Sequence, residues 1–223
     1  MIFCFLFSVL ILLTNFTSLA HFLQLTIVLF KLCNLISIMK FLKFLIIIFI
    51  SLTTPIKADL EKKLLNQLED GGKLIFIRHA YAPGNGDPNN FNLNDCSTQR
   101  NLNKEGREQA KHIGKFFKKN NIKIYKVLSS EWCRCKETAK IAFKNFSTNN
   151  FLNSFYSSKY AKNKDEQIKA LNDYIRNFQS DKNLILITHY VLISEVLNYA
   201  PSSGEIVVSD KNFNMIGSVE INY

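Results

Sequence analysis

Arg78 and His79 stand together at the end of an apolar run, Arg134 follows His79 by 55 residues, and His189 follows Arg134 by another 55. Guanidinium forks match phosphate oxygens in a bidentate way. A neutral imidazole is a competent nucleophile toward phosphorus. Two Arg and two His drawn to one place would repel each other unless an anion bridged them, so this set points to phosphoryl chemistry rather than to core packing.

The positions of these residues support that reading. Residues 73–78 are a short apolar run without alternation, the pattern of a strand buried on both faces; 126–130 reads as a second strand and 183–188 as a third buried one. Arg78-His79, Ser129-Ser130 and Thr188-His189 close them, and Arg134 sits early in an expected helix over 131–143, with Ser130 as its N-cap. Further helices are expected over 59–70 (Leu60, Leu64, Leu65 and Leu68 inward, ended by Gly71-Gly72), 104–119, 165–179 and 191–199. A closing pair of strands is expected over 205–209 and 215–222. Residues 80–103 form a long loop rich in Gly, Pro, Asn and Asp, and residues 145–164 read as irregular and polar. The alternation predicts a three-layer α/β/α sandwich with a mostly parallel central sheet, whose ligands collect at the carboxyl ends of the strands.

The chain resembles the histidine phosphatase superfamily, the phosphoglycerate-mutase-like phosphatases. The resemblance rests on four pieces: Ile75 to Ala80, Asn101 to Ala110, Leu128 to Ala139, and Leu186 to His189. It covers residues 73–223. It implies that His79 is the nucleophile, that Arg78 and Arg134 clamp the phosphoryl group, and that His189 contacts that group and stabilises charge in the transition state. Asn85, six residues after His79, falls where many members carry a phosphate-contacting Asn. Arg100 is a candidate to grip a second anionic group.

The family's general acid, a Glu in a Leu-x-Glu context, is missing: Phe151-Leu152-Asn153 places Asn there. Glu205, Asp95 and Glu131 are the substitutes, with Asp87 a weaker fourth. A more specific likeness is to small exported or membrane-associated members with Gly86-Asp87-Pro88, Asp95 to Leu102 and Trp132-Cys133-Arg134-Cys135. The implied activity is metal-independent hydrolysis of a small phosphorylated substrate through a phosphohistidine, without a cofactor. The alternatives are a phosphomutase of the same fold and a catalytically weak phosphate-binding or sensor domain.

Charge divides the 223 residues. Residues 1–58 hold four Lys and no Arg, Asp or Glu, which leaves 24 basic and 18 acidic residues in 59–223. The whole is 47% hydrophobic and 21% charged, which excludes wholesale disorder. Residues 1–58 therefore read as a hydrophobic leader and 59–223 as the phosphatase domain. Within the leader, 39–58 has the basic, apolar, small-residue order of a signal peptide, with cleavage after Ala58. Residues 1–38 are then either upstream of the true start or a membrane span over 1–30. Both readings export the domain or anchor it to a membrane, in a periplasmic or extracellular setting.

The lysines of 111–126 form the wet face of a helix and do not indicate nucleic acid. Of Cys96, Cys133 and Cys135, a bridge from Cys96 to one of the others and three free thiols are both open. No Cys-x-x-Cys pair is present, and no metal site is expected.

Overall fold

The computed structural model describes residues 19–222, and side chains within 24–46 and 62–222. The chain divides into two compact units, Met1–Asp59 and Leu60–Tyr223.

Helix α1, Leu19–Asp70, extends far N-terminal of the expected 59–70 and includes Pro55. Gly71 and Gly72 end it, with φ of 78° and 67°. In Gly71 this is backed by packing: a Cβ there would lie 1.8 Å from the carbonyl oxygen of Asp181. Within α1, Gln24–Ile46 is apolar enough to cross a membrane, and its 23 residues reach about 35 Å against a hydrocarbon core of about 30 Å. The helix runs without a break through 39–58. The expected span over 1–30 lies partly outside the described residues.

In the second unit, strands β1 (Leu74–Arg78), β2 (Ile124–Ser129), β3 (Ser147–Thr148), β4 (Asn183–Thr188), β5 (Ile206–Ser209) and β6 (Met215–Val219) form one sheet. Its order is β3-β2-β4-β1-β5-β6. The pairs β3·β2, β2·β4 and β4·β1 are parallel; β5 and β6 are antiparallel to their neighbours. The expected mostly parallel sheet is therefore present, with an antiparallel edge.

Successive residues of a strand face opposite sides, and both sides are covered. Ile75, Ile77, Ile185 and Ile187 pack with Leu64 and Leu68 of α1 and with Ile113 and Phe117 of α2, Lys104–Lys119. Helix α3, Cys133–Phe143, adds Cys135 and Ala139 to that face. Leu74, Phe76, Leu184 and Leu186 pack on the other side. There they meet Leu171 and Ile175 of α5, Lys164–Arg176, and Leu192 and Ile193 of α6, Tyr190–Leu197.

Two local expectations change. Helix α3 begins at Cys133, not Glu131, because Trp132 is extended and Ser130 turns its hydroxyl to other partners. The stretch 145–164 is not merely irregular. It holds β3, a 3₁₀ turn at Asn150–Leu152 and the short helix α4, Ser158–Ala161, and it buries Phe151, Leu152 and Phe155. Its anchors include a backbone bond, Asn149 N–H to the Ser129 carbonyl (2.9 Å), and a side-chain bond, the Thr188 hydroxyl to the Leu152 carbonyl (2.6 Å).

Candidate active site

The central strand β4 lies between β1 and β2, so the ends of all three meet at one rim. Arg78 is in register with Thr188, and the His79 N–H donates to the Thr188 carbonyl at 2.9 Å. This placement brings Arg78, His79, Arg134 and His189 onto the wall of one cavity of about 510 Å³.

His79 is 3% exposed. Its Nδ1 donates to the carbonyl of Ala80 at 2.8 Å, which leaves Nε2 with its lone pair. Arg134 Nε donates to that Nε2 at 3.2 Å. Burial, followed by the charge of Arg134, pushes the His79 pKa well below the imidazole value of 6.5, so the ring is neutral at neutral pH. His189 is likewise buried and held neutral, by burial first and then by Arg134. Its Nε2 is hydrogen-bonded to Ser130 Oγ at 2.9 Å, and its ring stands edge-on to His79 with centroids 5.4 Å apart.

Arg78 donates through one terminal nitrogen to the Pro201 carbonyl at 2.8 Å, while its Nε is buried without a hydrogen-bond partner. The 201–205 segment is itself clamped: the Gly204 N–H reaches the carbonyls of both Arg78 and His79 at 3.2 Å.

The expected substitutes for the general acid separate. Glu205 is 1% exposed and does not line the cavity. One carboxylate oxygen accepts from the Tyr199 hydroxyl (2.6 Å) and the other from the Ser202 N–H (2.7 Å), so it shapes the 201–205 segment and is no proton donor to a substrate. Asp95 caps the 3₁₀ turn at Cys96–Thr98, accepting from Ser97. Glu131 accepts from Asn153 Nδ2 at 2.6 Å, and Asn153 Oδ1 in turn accepts from the Glu131 N–H. Neither lines the cavity. Asp87, the weakest candidate in the sequence, is the one carboxylate that does among the described residues.

Asp87 faces Arg134: its two oxygens accept from the two terminal nitrogens at 2.7 and 3.2 Å. The Arg100 N–H and the Trp132 indole add bonds at 3.1 Å each. Burial alone would raise the carboxyl, but these bonds and the Arg134 charge outweigh it and hold it below 3.8. Arg100 lines the cavity as expected, yet it also braces the loop, donating from Nε to Gly86 O at 2.9 Å and from a terminal nitrogen to Ala82 O. Asn85 lines the cavity and is exposed.

Cys96 and Cys133 form a disulfide, which ties the 80–103 loop to the first residue of α3, next to Arg134. Gln99 reinforces the tie, accepting the Cys133 N–H at 2.9 Å. Cys135 is free and buried, with burial raising its thiol to about 12.

Sequence reasoning missed much of the cavity's outer wall. Phe91, Tyr156, Lys159, Tyr160 and Tyr190 all line it. Three of these lie in 145–164, where no periodicity marks them; the cluster of Phe and Tyr in an otherwise polar stretch was the available signal.

Residues 74–181 match the model of the histidine phosphatase superfamily (branch 1). Among solved structures it is similar to the protein histidine phosphatase SixA complexed with tungstate (14% identity, 68% of this chain and 94% of that one, TM-score 0.45). It is also similar to the product of open reading frame Rv3214 from Mycobacterium tuberculosis (13%, 67% and 96%, TM-score 0.48). A third is a phosphoglycerate mutase from Thermus thermophilus (15%, 67% and 99%, TM-score 0.44). No curated protein sequence matches it.

Proposed function

We propose that this chain is a phosphomonoester hydrolase that works through a phosphohistidine on His79. The observation that carries this reading is the placement of His79: its Nδ1 is bonded to the Ala80 carbonyl, so the lone pair lies on Nε2, where the Arg134 Nε–H now sits, on the wall of a cavity that Arg78 also lines.

In the first step Nε2 attacks phosphorus in line, the P–N bond forms, and the bond to the leaving oxygen breaks with its electron pair. Arg78 and Arg134 take the equatorial oxygens, and a phosphoryl oxygen satisfies the orphaned Nε of Arg78. In the second step water attacks phosphorus from the vacated side, the P–N bond breaks, Nε2 recovers its lone pair, one water proton ends on the departed oxygen and the other stays with the phosphate. Arg78, Arg100 and Arg134 supply the positive charge, offset by Asp87 alone among the described lining residues. The proposed setting is outside the cytoplasm or at a membrane, supported by the apolar stretch Gln24–Ile46 and by the Cys96–Cys133 disulfide.

The test is release of inorganic phosphate from 4-nitrophenyl phosphate by the full chain in detergent, with a chelator present. Turnover that His79→Ala abolishes supports the proposal. Turnover that His79→Ala retains, or none in the parent, overturns it.

A further inference from the structure

Beyond the phosphoryl clamp, the cavity carries two aromatic groups. Phe91 stacks on Trp132 with centroids 5.1 Å apart, and Tyr160 stands edge-on to both at 5.8 and 5.4 Å. Trp132 in turn meets the His189 ring at 5.4 Å, so this group begins one ring away from the clamp. The second group is Tyr156 and Tyr190, centroids 5.9 Å apart, with the Arg78 guanidinium 5.3 Å from the Tyr190 ring. Tyr156 is 58% exposed and Tyr190 36%, so core packing does not account for either. All five rings line the same cavity as His79.

The carboxylate inventory points the same way. An alkoxide leaving group, whose conjugate acid is about as weak as water at ~15.7, needs a proton as it departs. A phenolate, with a conjugate acid near ~10, does not. Asp87, the one carboxylate lining the cavity among the described residues, is ionised on Arg134 with both oxygens occupied.

We infer that the site selects phosphate monoesters of aromatic hydroxyl groups, with the substrate ring held against Tyr156 and Tyr190 and against the Phe91–Trp132–Tyr160 group. This rests on the hydrolase reading above. His79 Nε2 displaces the aryl oxygen, which leaves with the P–O electron pair as phenolate. Water then hydrolyses the phosphohistidine, and a proton from that water ends on the phenolate.

The experiment compares kcat/KM for phenyl phosphate with that for acetyl phosphate, an activated substrate without a ring. It uses the full chain and the double variant Tyr156→Ala/Tyr190→Ala. Any disturbance of Arg78 by loss of Tyr190 affects both substrates and cancels in the ratio. The expected result is a fall in the phenyl-to-acetyl ratio of about tenfold, the worth of two aromatic contacts, restored by Tyr156→Phe/Tyr190→Phe. An unchanged ratio overturns this inference and leaves the hydrolase reading standing. Absence of turnover of both substrates in the parent overturns both.

Discussion

Arg134 holds His79 and Asp87 at once: its Nε donates to His79 Nε2 at 3.2 Å while its terminal nitrogens grip both oxygens of Asp87. The guanidinium is therefore oriented by a carboxylate on one edge and presents Nε to His79, the proposed nucleophile. Asp87 is then both a positioning residue and an internal competitor for an incoming phosphoryl group.

Asp87→Asn separates those two roles. Loss of a charge-assisted bidentate pair costs about 1.5–3 kcal/mol, so kcat should fall about tenfold to a hundredfold. Inorganic phosphate, freed from a competing anion, should inhibit the variant more strongly than the parent. Steady-state kinetics with phosphate as inhibitor checks both, and weaker inhibition would count against the arrangement.

The two buried histidines set a pH dependence of stability. Both have native pKa values pushed well below 6.5, by burial and then by Arg134. Below 6.5 the unfolded chain binds protons there that the native state does not, so stability is complete above that pH and declines as pH falls below it. The slope is at most about 1.4 kcal/mol per pH unit for each histidine. Denaturant titrations from pH 8 to 5 should show this decline, and His189→Gln should make it shallower, leaving the His79 part.

Gly106 lies in α2, where a free helix would gain about 1 kcal/mol from Gly→Ala. Here an added Cβ would sit 1.9 Å from the Tyr81 carbonyl oxygen, which is backbone in the loop leaving His79. Gly106→Ala should therefore destabilise by about 1–3 kcal/mol and lower turnover. A rise in melting temperature would contradict the packing described.

Reduction of Cys96–Cys133 opens a loop with 37 residues of separation. Chain-entropy reasoning assigns such a crosslink about 4 kcal/mol. Thermal melts with and without reductant should differ accordingly, and Cys96→Ser should melt like the reduced parent.

Five of the six strands, and the convergence of Arg78, His79, Arg134 and His189 on one rim, were legible in the sequence because each rests on a local signal. Residues 183–188, with the apolar Leu184 to Ile187 at their centre, match β4 residue for residue, and Lys104–Lys119 shows a clean helical stripe. Ser130 misled as an N-cap because a hydroxyl before a helix has the same signature whether it caps the helix or reaches across to His189. Glu205 misled because its place at the rim says nothing about its direction, and Tyr199 and Ser202 capture it. The aromatic wall was illegible because Tyr156, Tyr160 and Tyr190 come together through loop paths set by long-range bonds such as Thr188 to Leu152.

The central claim is that His79 Nε2 becomes covalently phosphorylated. Its most direct test is rapid quenching of the full chain with 4-nitrophenyl phosphate at alkaline pH, where a phosphohistidine survives, followed by mass spectrometry of the peptide containing His79. The account predicts a gain of one phosphoryl group on that histidine, on the nitrogen not bonded to Ala80, and none in His79→Ala. Turnover with no label on His79, or a label on another residue, would contradict it.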